Sequence, residues 1–311
     1  MTIINNNVRE TFADTVTKVG LEDSNLICIV SDISHFRLQK LASERPKQYL
    51  NLGVCENSIV NVAAGLASLG KIPVIHTFAS FLIDRSFEQI KISFGYHKLP
   101  VNIIVIGSGI EYAFHGVTHH SYSDASMIKS IENSLVFNPG STHEFSELFR
   151  KNYNNGKINL FRATNQPHNY KGILDKKITA GNGIEIKKGD QGTIFCSGGD
   201  LATALEFCST YPDLEIQVIY FHTLKTLDEE IIISSVQKTK KFITLDHQSI
   251  YGGLHQDILY VLSKNKIFNF ICDEISLGNK FSREYGTYAE QNYRNGFSSE
   301  NLFNKFKSLM A

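Results

Sequence analysis

The stretch NLGVCENSIVNVAAGLASLGKIPVIHTFASFLIDRSFEQIKIS, residues 51–93, predicts a helix, a strand and a second helix in succession. Apolar and small residues recur three and four positions apart over Asn57–Leu69, which indicates an amphipathic helix. The β-branched run Ile72–His76 predicts a buried strand, and the helical spacing returns over Phe81–Phe94. Glu56 precedes the first helix, where the helix dipole favours a carboxylate. Such alternation is typical of a parallel sheet with helices on both faces.

The same alternation extends through the whole chain. In the first half, the predicted strands are Leu26–Ser31, Ile72–His76, Val101–Gly107, Leu135–Asn138 and Ile158–Ala163, and the further predicted helices are Arg9–Lys18 and His143–Tyr153. In the second half, the predicted strands are Thr193–Cys196, Ile216–Phe221, Phe242–Leu245 and Phe268–Cys272, and the predicted helices are Leu201–Ser209, Leu227–Thr239, Leu254–Ser263 and Glu300–Met310.

A segment rich in glycine, lysine and aspartate, Leu174–Gly192, interrupts this pattern and predicts a domain boundary. We expect one domain over residues 1–175, a linker over 176–190 and a second domain over 191–311. The chain of 311 residues has room for two domains of roughly 150 residues each. The predicted fold class is α/β, with two consecutive three-layer α/β domains built on mainly parallel sheets.

Composition argues against several classes of function. Lys and Arg equal Asp and Glu at 31 each, so there is no basic field to attract nucleic acid. The apolar runs fall short of the roughly 20 residues that cross a bilayer, and the N-terminus lacks a basic-then-apolar export signal. Five cysteines without a CxxC pair indicate reduced thiols. We therefore expect a cytoplasmic protein that binds neither nucleic acid nor membrane.

Taken alone, the candidate site residues allow two interpretations each. Glu56 is either an ordinary first-turn acid or a carboxyl group partly withdrawn from water that shares a proton with a bound base. Phe78 and Phe81 are either core residues or ligand contacts. His115 and His119 have the HxxxH spacing of some metal sites, but the intervening glycine and threonine favour a loop.

Several segments together identify a family resemblance. Residues 51–93 resemble the pyrimidine-binding domain of transketolase-like thiamine diphosphate enzymes, with the pattern N-x-G-I-x-E followed by A-A-G-L-A, F-x-x-F-L and R-[AS]-[FY]-[DE]-Q. Five later segments of the chain resemble further motifs of the same family, in the same order. These segments are GVTHHSYSDASMIKSI (116–131), KINLFRAT (157–164), GTIFCSGGDLATALEFC (192–208), TLDHQSIYGGL (244–254) and YRNGFSSENLFNKFKSL (293–309). The resemblance covers nearly the whole chain in order.

The resemblance implies roles for the cofactor-binding residues. Glu56 matches the glutamate that hydrogen-bonds N1′ of the aminopyrimidine, where proton sharing activates the cofactor. Phe81 matches the aromatic residue that stacks on this ring, and Phe78 is expected to form a wall of the same pocket. Asp32 resembles the aspartate near the edge of the thiazolium ring.

The resemblance also implies substrate-binding residues. His119 matches the histidine of a G-x-T-H motif that hydrogen-bonds the substrate carbonyl and relays protons. Arg162, and less directly Arg9, match arginines that contact a substrate phosphate. His115 stands where transketolases carry an aspartate that binds the donor hydroxyl, so the donor is expected to be bound differently here.

A family motif is missing from this sequence. The family holds the cofactor's diphosphate through Mg²⁺, using a GDG motif and a later asparagine, and no GDG occurs here. The chain thus looks like the C-terminal-half subunit of a split transketolase that transfers a two-carbon ketol unit between sugars or sugar phosphates. The resemblance implies that this chain needs a partner subunit, which carries the GDG…N motif and supplies most of the ligands of the Mg²⁺ ion. The simplest assembly of the two subunits is an α₂β₂ heterotetramer.

Two other functions remain open from the sequence. The chain could be the β subunit of a 2-oxoacid dehydrogenase or of a pyruvate-using synthase, or a non-catalytic α/β binding module. The segment 116–131 favours transketolase over the oxoacid dehydrogenases, and the joint presence of Glu56, Phe81 and His119 favours an enzyme.

Overall fold

The computed structural model describes residues 8–311, and within that range the strands form two sheets. The strands are β1 Leu26–Val30, β2 Tyr49–Asn51, β3 Ile72–Phe78, β4 Val101–Ile106, β5 Ser134–Phe137, β6 Ile158–Arg162, β7 Gly183–Lys187, β8 Gly192–Ser197, β9 Ile216–Phe221, β10 Lys241–Asp246 and β11 Ile271–Ser276. The helices are α1 Val8–Glu22, α2 Gln39–Glu44, α3 Glu56–Ser68, α4 Arg85–Ile90, α5 Asp124–Lys129, α6 Thr142–Asn152, α7 Leu201–Thr210, α8 Glu229–Thr239, α9 Leu254–Lys264, α10 Tyr288–Arg294 and α11 Ser299–Met310.

The first sheet has the strand order β2-β1-β3-β4-β6-β5, and all of its neighbouring strands are parallel. Its strands β1 and β4 are buried apolar runs, as expected where a sheet is covered on both faces, whereas the edge strand β2 is partly exposed. Helices α1 and α6 pack on one face, and α3 and α4 pack on the other. The first domain is therefore the predicted three-layer α/β unit.

The second sheet has the order β11-β10-β8-β9-β7, with β7 antiparallel to β9 and the other pairs parallel. Helices α7 and α11 cover one face, and α8 and α9 cover the other. The predicted fold class, two successive α/β domains with mainly parallel sheets, is confirmed. No helix within residues 8–311 has the length and apolar character that crossing a membrane requires.

The structure differs from the predicted elements in several places, and α2, β2 and α5 are among the elements that the sequence did not predict. Strand β7 lies inside the segment 176–190, where no regular element was expected, because a short edge strand with one covered face carries little apolar signal. The last strand, β11, begins three residues later than predicted. Helix α10 was not predicted, although a capping box formed by Thr287 and Glu290 starts it.

A buried hydrogen-bonded group of three side chains, Glu144, His168 and Tyr220, joins the two domains. Glu144 lies in the first turn of α6 and is completely buried, and it accepts hydrogen bonds from His168 Nε2 at 2.9 Å and from the Tyr220 hydroxyl at 2.6 Å. The Tyr170 amide donates to His168 Nδ1, so the ring proton of His168 lies on Nε2. Tyr220 belongs to β9, and its hydroxyl also accepts from the Gly140 amide. This Glu144 group therefore ties the two domains together.

The segment predicted as one helix over Phe81–Phe94 is broken into α4 and flanking π-helical turns. Ser86 has the non-helical angles φ −114° and ψ 18° at this break. Wider π turns are frequent at functional sites because they redirect side chains. The irregularity lies next to Arg85, whose side chain contacts the candidate site.

Candidate functional site

Glu56 begins helix α3 and points its carboxylate into the protein. The side chain is 1% exposed. Ser31, directly after β1, donates its hydroxyl to Oε1 at 3.0 Å, and Arg85 Nη1 donates to Oε2 at 2.8 Å. Each oxygen thus has a partner, and Arg85 supplies the positive charge that a buried carboxylate requires. The burial of Glu56 agrees with the interpretation of a carboxyl group withdrawn from water, and its proton sharing with a bound base stays a prediction.

Arg85 connects Glu56 to the aromatic side chains. Its guanidinium lies 4.9 Å from the centroid of the Phe81 ring, within the range of a cation–π interaction. The Phe81 ring lies 5.0 Å from the His119 ring. A continuous chain of contacts therefore runs from Glu56 through Arg85 and Phe81 to His119.

Phe78, Phe81 and Tyr112 form an aromatic wall next to His119. Phe78 lies edge-on to Phe81 at 5.3 Å, to Tyr112 at 4.7 Å and to His119 at 5.2 Å between ring centroids. Phe78 and Phe81 are only half-buried, so part of their surface is available to a ligand. This arrangement suits a flat heteroaromatic ring, which packs well on rigid aromatic faces.

His115 and His119 lie together on an irregular loop. Two short 3₁₀ turns, Ala113–His115 and Val117–His119, meet at Gly116, which has a φ of +71°. The two imidazole centroids are 4.6 Å apart. Partial burial, with a smaller contribution from the neighbouring His115, holds the pKa of His119 below its usual value. His119 is therefore neutral at neutral pH, and its ring has both a donor and an acceptor nitrogen.

Within residues 8–311, no group of three or more histidine, cysteine, aspartate or glutamate side chains is placed to hold a metal ion. The paired histidines lie among aromatic rings rather than beside carboxylates.

Asp32 lies at the carboxyl end of β1, at the same sheet edge as the end of β3. It adopts the left-handed conformation, with φ +52°, and accepts a hydrogen bond from Asn51 Nδ2 at 3.1 Å. The side chain is 58% exposed, so the structure leaves it accessible from outside the chain. Its proposed place near a thiazolium ring stays a prediction.

Arg9 supports the sheet edge from α1. Its Nε donates to the Ser34 hydroxyl at 2.9 Å, and that hydroxyl donates to His76 Nε2 at 2.9 Å, because His76 Nδ1 donates to a backbone carbonyl. Burial lowers the pKa of His76 to about 3, so this histidine stays neutral. Arg9 also bonds to the Tyr112 hydroxyl. A substrate contact for Arg9 stays a prediction.

Arg162 lies at the end of β6 and is buried between the domains rather than on the aromatic wall. Its Nε donates to Asp124 Oδ2 at 3.0 Å, and a cavity of about 30 Å³ next to it is also lined by Glu111, Asp200 and His247. Burial raises the pKa of Glu111 to about 6. A cavity of this volume has room for water but not for a sugar phosphate. The expected contact of Arg162 with a substrate phosphate stays a prediction.

Two features of the site were not assigned from the sequence. Arg85 belongs to the quoted motif at 85–89, but the motif does not show its ion pair with Glu56. Tyr112 completes the aromatic wall, and it carries no motif of its own. Only the tertiary structure brings these side chains next to Glu56 and His119.

Comparison with known families and proteins gives a consistent result over both domains. The family model described as "Transketolase, pyrimidine binding domain" matches residues 5–167, and that described as "Transketolase, C-terminal domain" matches residues 181–292. The 6-deoxy-6-sulfo-D-fructose transketolase subunit SqwH of Clostridium sp. (strain MSTE9) is 26% identical over 83% of this chain and 81% of its own length. One of the subunits of the apulose-4-phosphate transketolase of Phocaeicola vulgatus is also 26% identical, over 83% of this chain and 84% of its own.

Among solved structures, a chain described as "Split gene transketolase, inactive beta4 tetramer" superposes with a TM-score of 0.85 at 24% identity, covering 97% of this chain and 98% of that one. At this identity, the likeness shows the shared fold. Other curated relatives are longer: the chain spans 47% of a 1-deoxy-D-xylulose-5-phosphate synthase from Syntrophus aciditrophicus, at 26% identity.

Proposed function

Because the chain belongs to the transketolase family, we propose that it is the pyrimidine-binding subunit of a split, thiamine diphosphate-dependent enzyme that transfers a two-carbon ketol unit between sugars or sugar phosphates. The observation that carries this proposal is the continuous contact from Glu56 through Arg85 and Phe81 to His119. This arrangement places a buried carboxylate, an aromatic face and a neutral imidazole side by side. A binding module without chemistry has no need of all three.

The side chains present fit the aminopyrimidine half of the cofactor. Phe81, with Phe78 beside it, offers a half-exposed aromatic face for stacking, and Glu56 offers a carboxyl group able to share a proton with a ring nitrogen. When bound, thiamine diphosphate supplies the nucleophilic carbon that carries the two-carbon unit. Arg85 and Ser31 hold both oxygens of Glu56 in one orientation, so the carboxyl group needs little rearrangement to act.

His119 is proposed to act on the substrate. As a neutral imidazole, it hydrogen-bonds the carbonyl oxygen of the donor and passes a proton to or from that oxygen. The His115 ring lies 4.6 Å from that of His119 and is exposed, which supports a contact of His115 with the next substrate hydroxyl. An imidazole at that position accepts only one hydrogen bond where an aspartate accepts several, so the donor differs from one selected by a carboxylate.

The proposal includes a partner subunit. The sequence has no GDG motif, so the diphosphate and its Mg²⁺ are assigned to an N-terminal-half transketolase subunit that carries the GDG…N motif. The relatives named as subunits support a division of the enzyme between two chains. Exposed apolar side chains on α3 and directly beside its two ends, namely Val54, Val62 and Leu69, offer a surface for such a contact. An α₂β₂ heterotetramer is the simplest assembly.

Reaction class is tested by assaying the assembled enzyme with ketose phosphates and, separately, with pyruvate or branched 2-oxoacids. Two-carbon transfer from a ketose to an aldehyde acceptor supports the proposal. Release of CO₂ without two-carbon transfer contradicts it and favours the oxoacid enzymes.

Substitution of the two loop histidines should affect the reaction differently. We expect His119→Ala to lower turnover with every donor by about 10²-fold or more, since proton transfer typically contributes that much. His115→Asp should instead raise the ratio of kcat/KM for ordinary 2-ketose phosphates to that for other donors. His97→Ala, in an exposed turn away from this loop, is the control. Unchanged ratios for His115→Asp would show that His115 does not face the substrate.

The isolated chain should bind thiamine diphosphate poorly. It offers the aromatic wall and Glu56, but the charge-assisted contacts to the diphosphate belong to the partner. Calorimetric titration with thiamine diphosphate and Mg²⁺, with and without the partner, measures this difference. Tight stoichiometric binding and turnover by the isolated chain would overturn the split-subunit proposal.

A further inference from the structure

We propose that a second cavity, behind the loop that carries His119, binds small molecules through a phosphate-type oxyanion. This anion cavity has a volume of about 330 Å³, within the range of small-molecule sites. Its lining comes from both domains: Ile110 and Tyr122 belong to the first, and the segment 280–284 with Gln291 and Arg294 belongs to the second. None of these residues takes part in the aromatic wall or contacts Glu56, so the cavity is distinct from the candidate active site.

The charges of the lining favour an anion. Three of the lining residues are cations and one is a carboxylate, which leaves an excess of two positive charges in a chain whose formal net charge is zero. The carboxylate, Glu284, is already paired with Arg294 at 3.1 Å. Lys280 and Arg283 form no salt bridge within residues 8–311. An arginine and a lysine without carboxylate partners in a concave site are suited to bind a phosphate group.

The basic segment 280–284 is held in position without a ligand. The Ser282 amide donates to the Tyr122 hydroxyl at 3.2 Å, and the Ser282 hydroxyl donates to Gln291 Oε1 at 2.9 Å. Gln291, which is buried, in turn donates to the carbonyl of Glu284. Because the segment is already ordered, an anion would bind with little loss of conformational entropy.

The anion cavity contacts the histidine loop from behind. Tyr122 lines the cavity, and its hydroxyl lies 3.1 Å from His120 Nδ1, one residue after His119. The ring of Tyr285 packs directly on Gly116, in the middle of the same loop. An occupant of the cavity would therefore contact Tyr122, whose hydroxyl lies beside the histidine loop, and its binding does not depend on which reaction the enzyme catalyses.

The experiment is calorimetric titration of the full chain with three probes: inorganic phosphate, ribose 5-phosphate and uncharged ribose. The test variant is Lys280→Gln combined with Arg283→Gln. The control is Lys40→Gln combined with Arg45→Gln, which removes one exposed lysine and one exposed arginine far along the chain. We expect the test variant to bind phosphate about tenfold more weakly or worse, because charge-assisted hydrogen bonds are lost. The control should bind within about twofold of the unaltered chain.

The two phosphate probes distinguish the source of the oxyanion. Binding of ribose 5-phosphate at least about tenfold tighter than phosphate supports a phosphosugar as the occupant, whereas equal binding supports free phosphate. In both cases ribose alone should not bind. The proposal is overturned if neither phosphate probe shows saturable binding, if the test variant binds them as well as the control does, or if ribose binds as tightly as ribose 5-phosphate.

Discussion

Glu56→Gln should lower the turnover of the assembled enzyme by about 10²- to 10⁴-fold, while the chain still folds. The amide has nearly the shape of the carboxylate, so Ser31 can still donate to its oxygen. However, glutamine neither holds nor releases a proton, and its amide nitrogen would face the Arg85 guanidinium as a second donor. The direct measurement is the rate of hydrogen–deuterium exchange at C2 of thiamine diphosphate in the assembled complex.

Two variants make the Glu56 result interpretable. Glu44→Gln changes an exposed glutamate at the end of α2 and should leave exchange unchanged. Arg85→Met removes the positive partner of Glu56 together with the cation–π contact to Phe81, so it should slow exchange less than Glu56→Gln does. If the Glu56→Gln complex exchanges C2–H as fast as the unaltered complex, Glu56 does not share a proton with the cofactor.

Much of the first domain could be predicted from the sequence because its signals are local. The helical spacing over Asn57–Leu69 predicts helix α3 to within one residue at each end, and the β-branched run Ile72–His76 predicts strand β3 except for its last two residues. Parallel strands bring their carboxyl ends to one edge, so residues directly after β1 and β3 come together. The contact of Ser31, directly after β1, with the end of β3 follows from that rule.

The rest of the site depends on contacts that no local pattern encodes. The ion pair of Arg85 with Glu56 lies next to a break of the helix at Ser86, and the helical spacing over Phe81–Phe94 predicts neither the break nor the ion pair. The burial of Arg162 depends on the second domain closing over the end of β6. Its motif indicates an arginine at a strand end, but cannot show that Asp124 already accepts its hydrogen bond.

Substitution of Glu144 by glutamine should destabilise the whole chain by about 3 kcal/mol. His168 Nε2 and the Tyr220 hydroxyl both donate to Glu144, and an amide accepts well through one atom only. One buried donor is then left without a partner between the two domains. The measurement is the free energy of unfolding in urea. The matched control is Glu147→Gln, one turn further along α6, whose partly exposed ion pair with Lys151 should contribute less than about 1 kcal/mol.

The pH dependence of the free energy of unfolding shows how much of the contribution of Glu144 comes from its negative charge rather than from its shape. Burial alone would raise the pKa of Glu144, but the hydrogen bonds that it accepts from His168 and from the Tyr220 hydroxyl outweigh this effect and hold that pKa below the ordinary 4.5. A carboxyl with a lowered folded-state pKa stabilises the fold above its unfolded pKa, and this stabilisation is lost as the pH falls through the folded value. The unaltered chain should therefore lose stability below about pH 4.5, and Glu144→Gln should lose less over the same interval.

Tyr220→Phe removes one donor, so its effect should be smaller in the Glu144→Gln background than alone. Additive effects of the two substitutions, or equal acid sensitivity with and without Glu144, would show that this carboxylate does not hold the domains together.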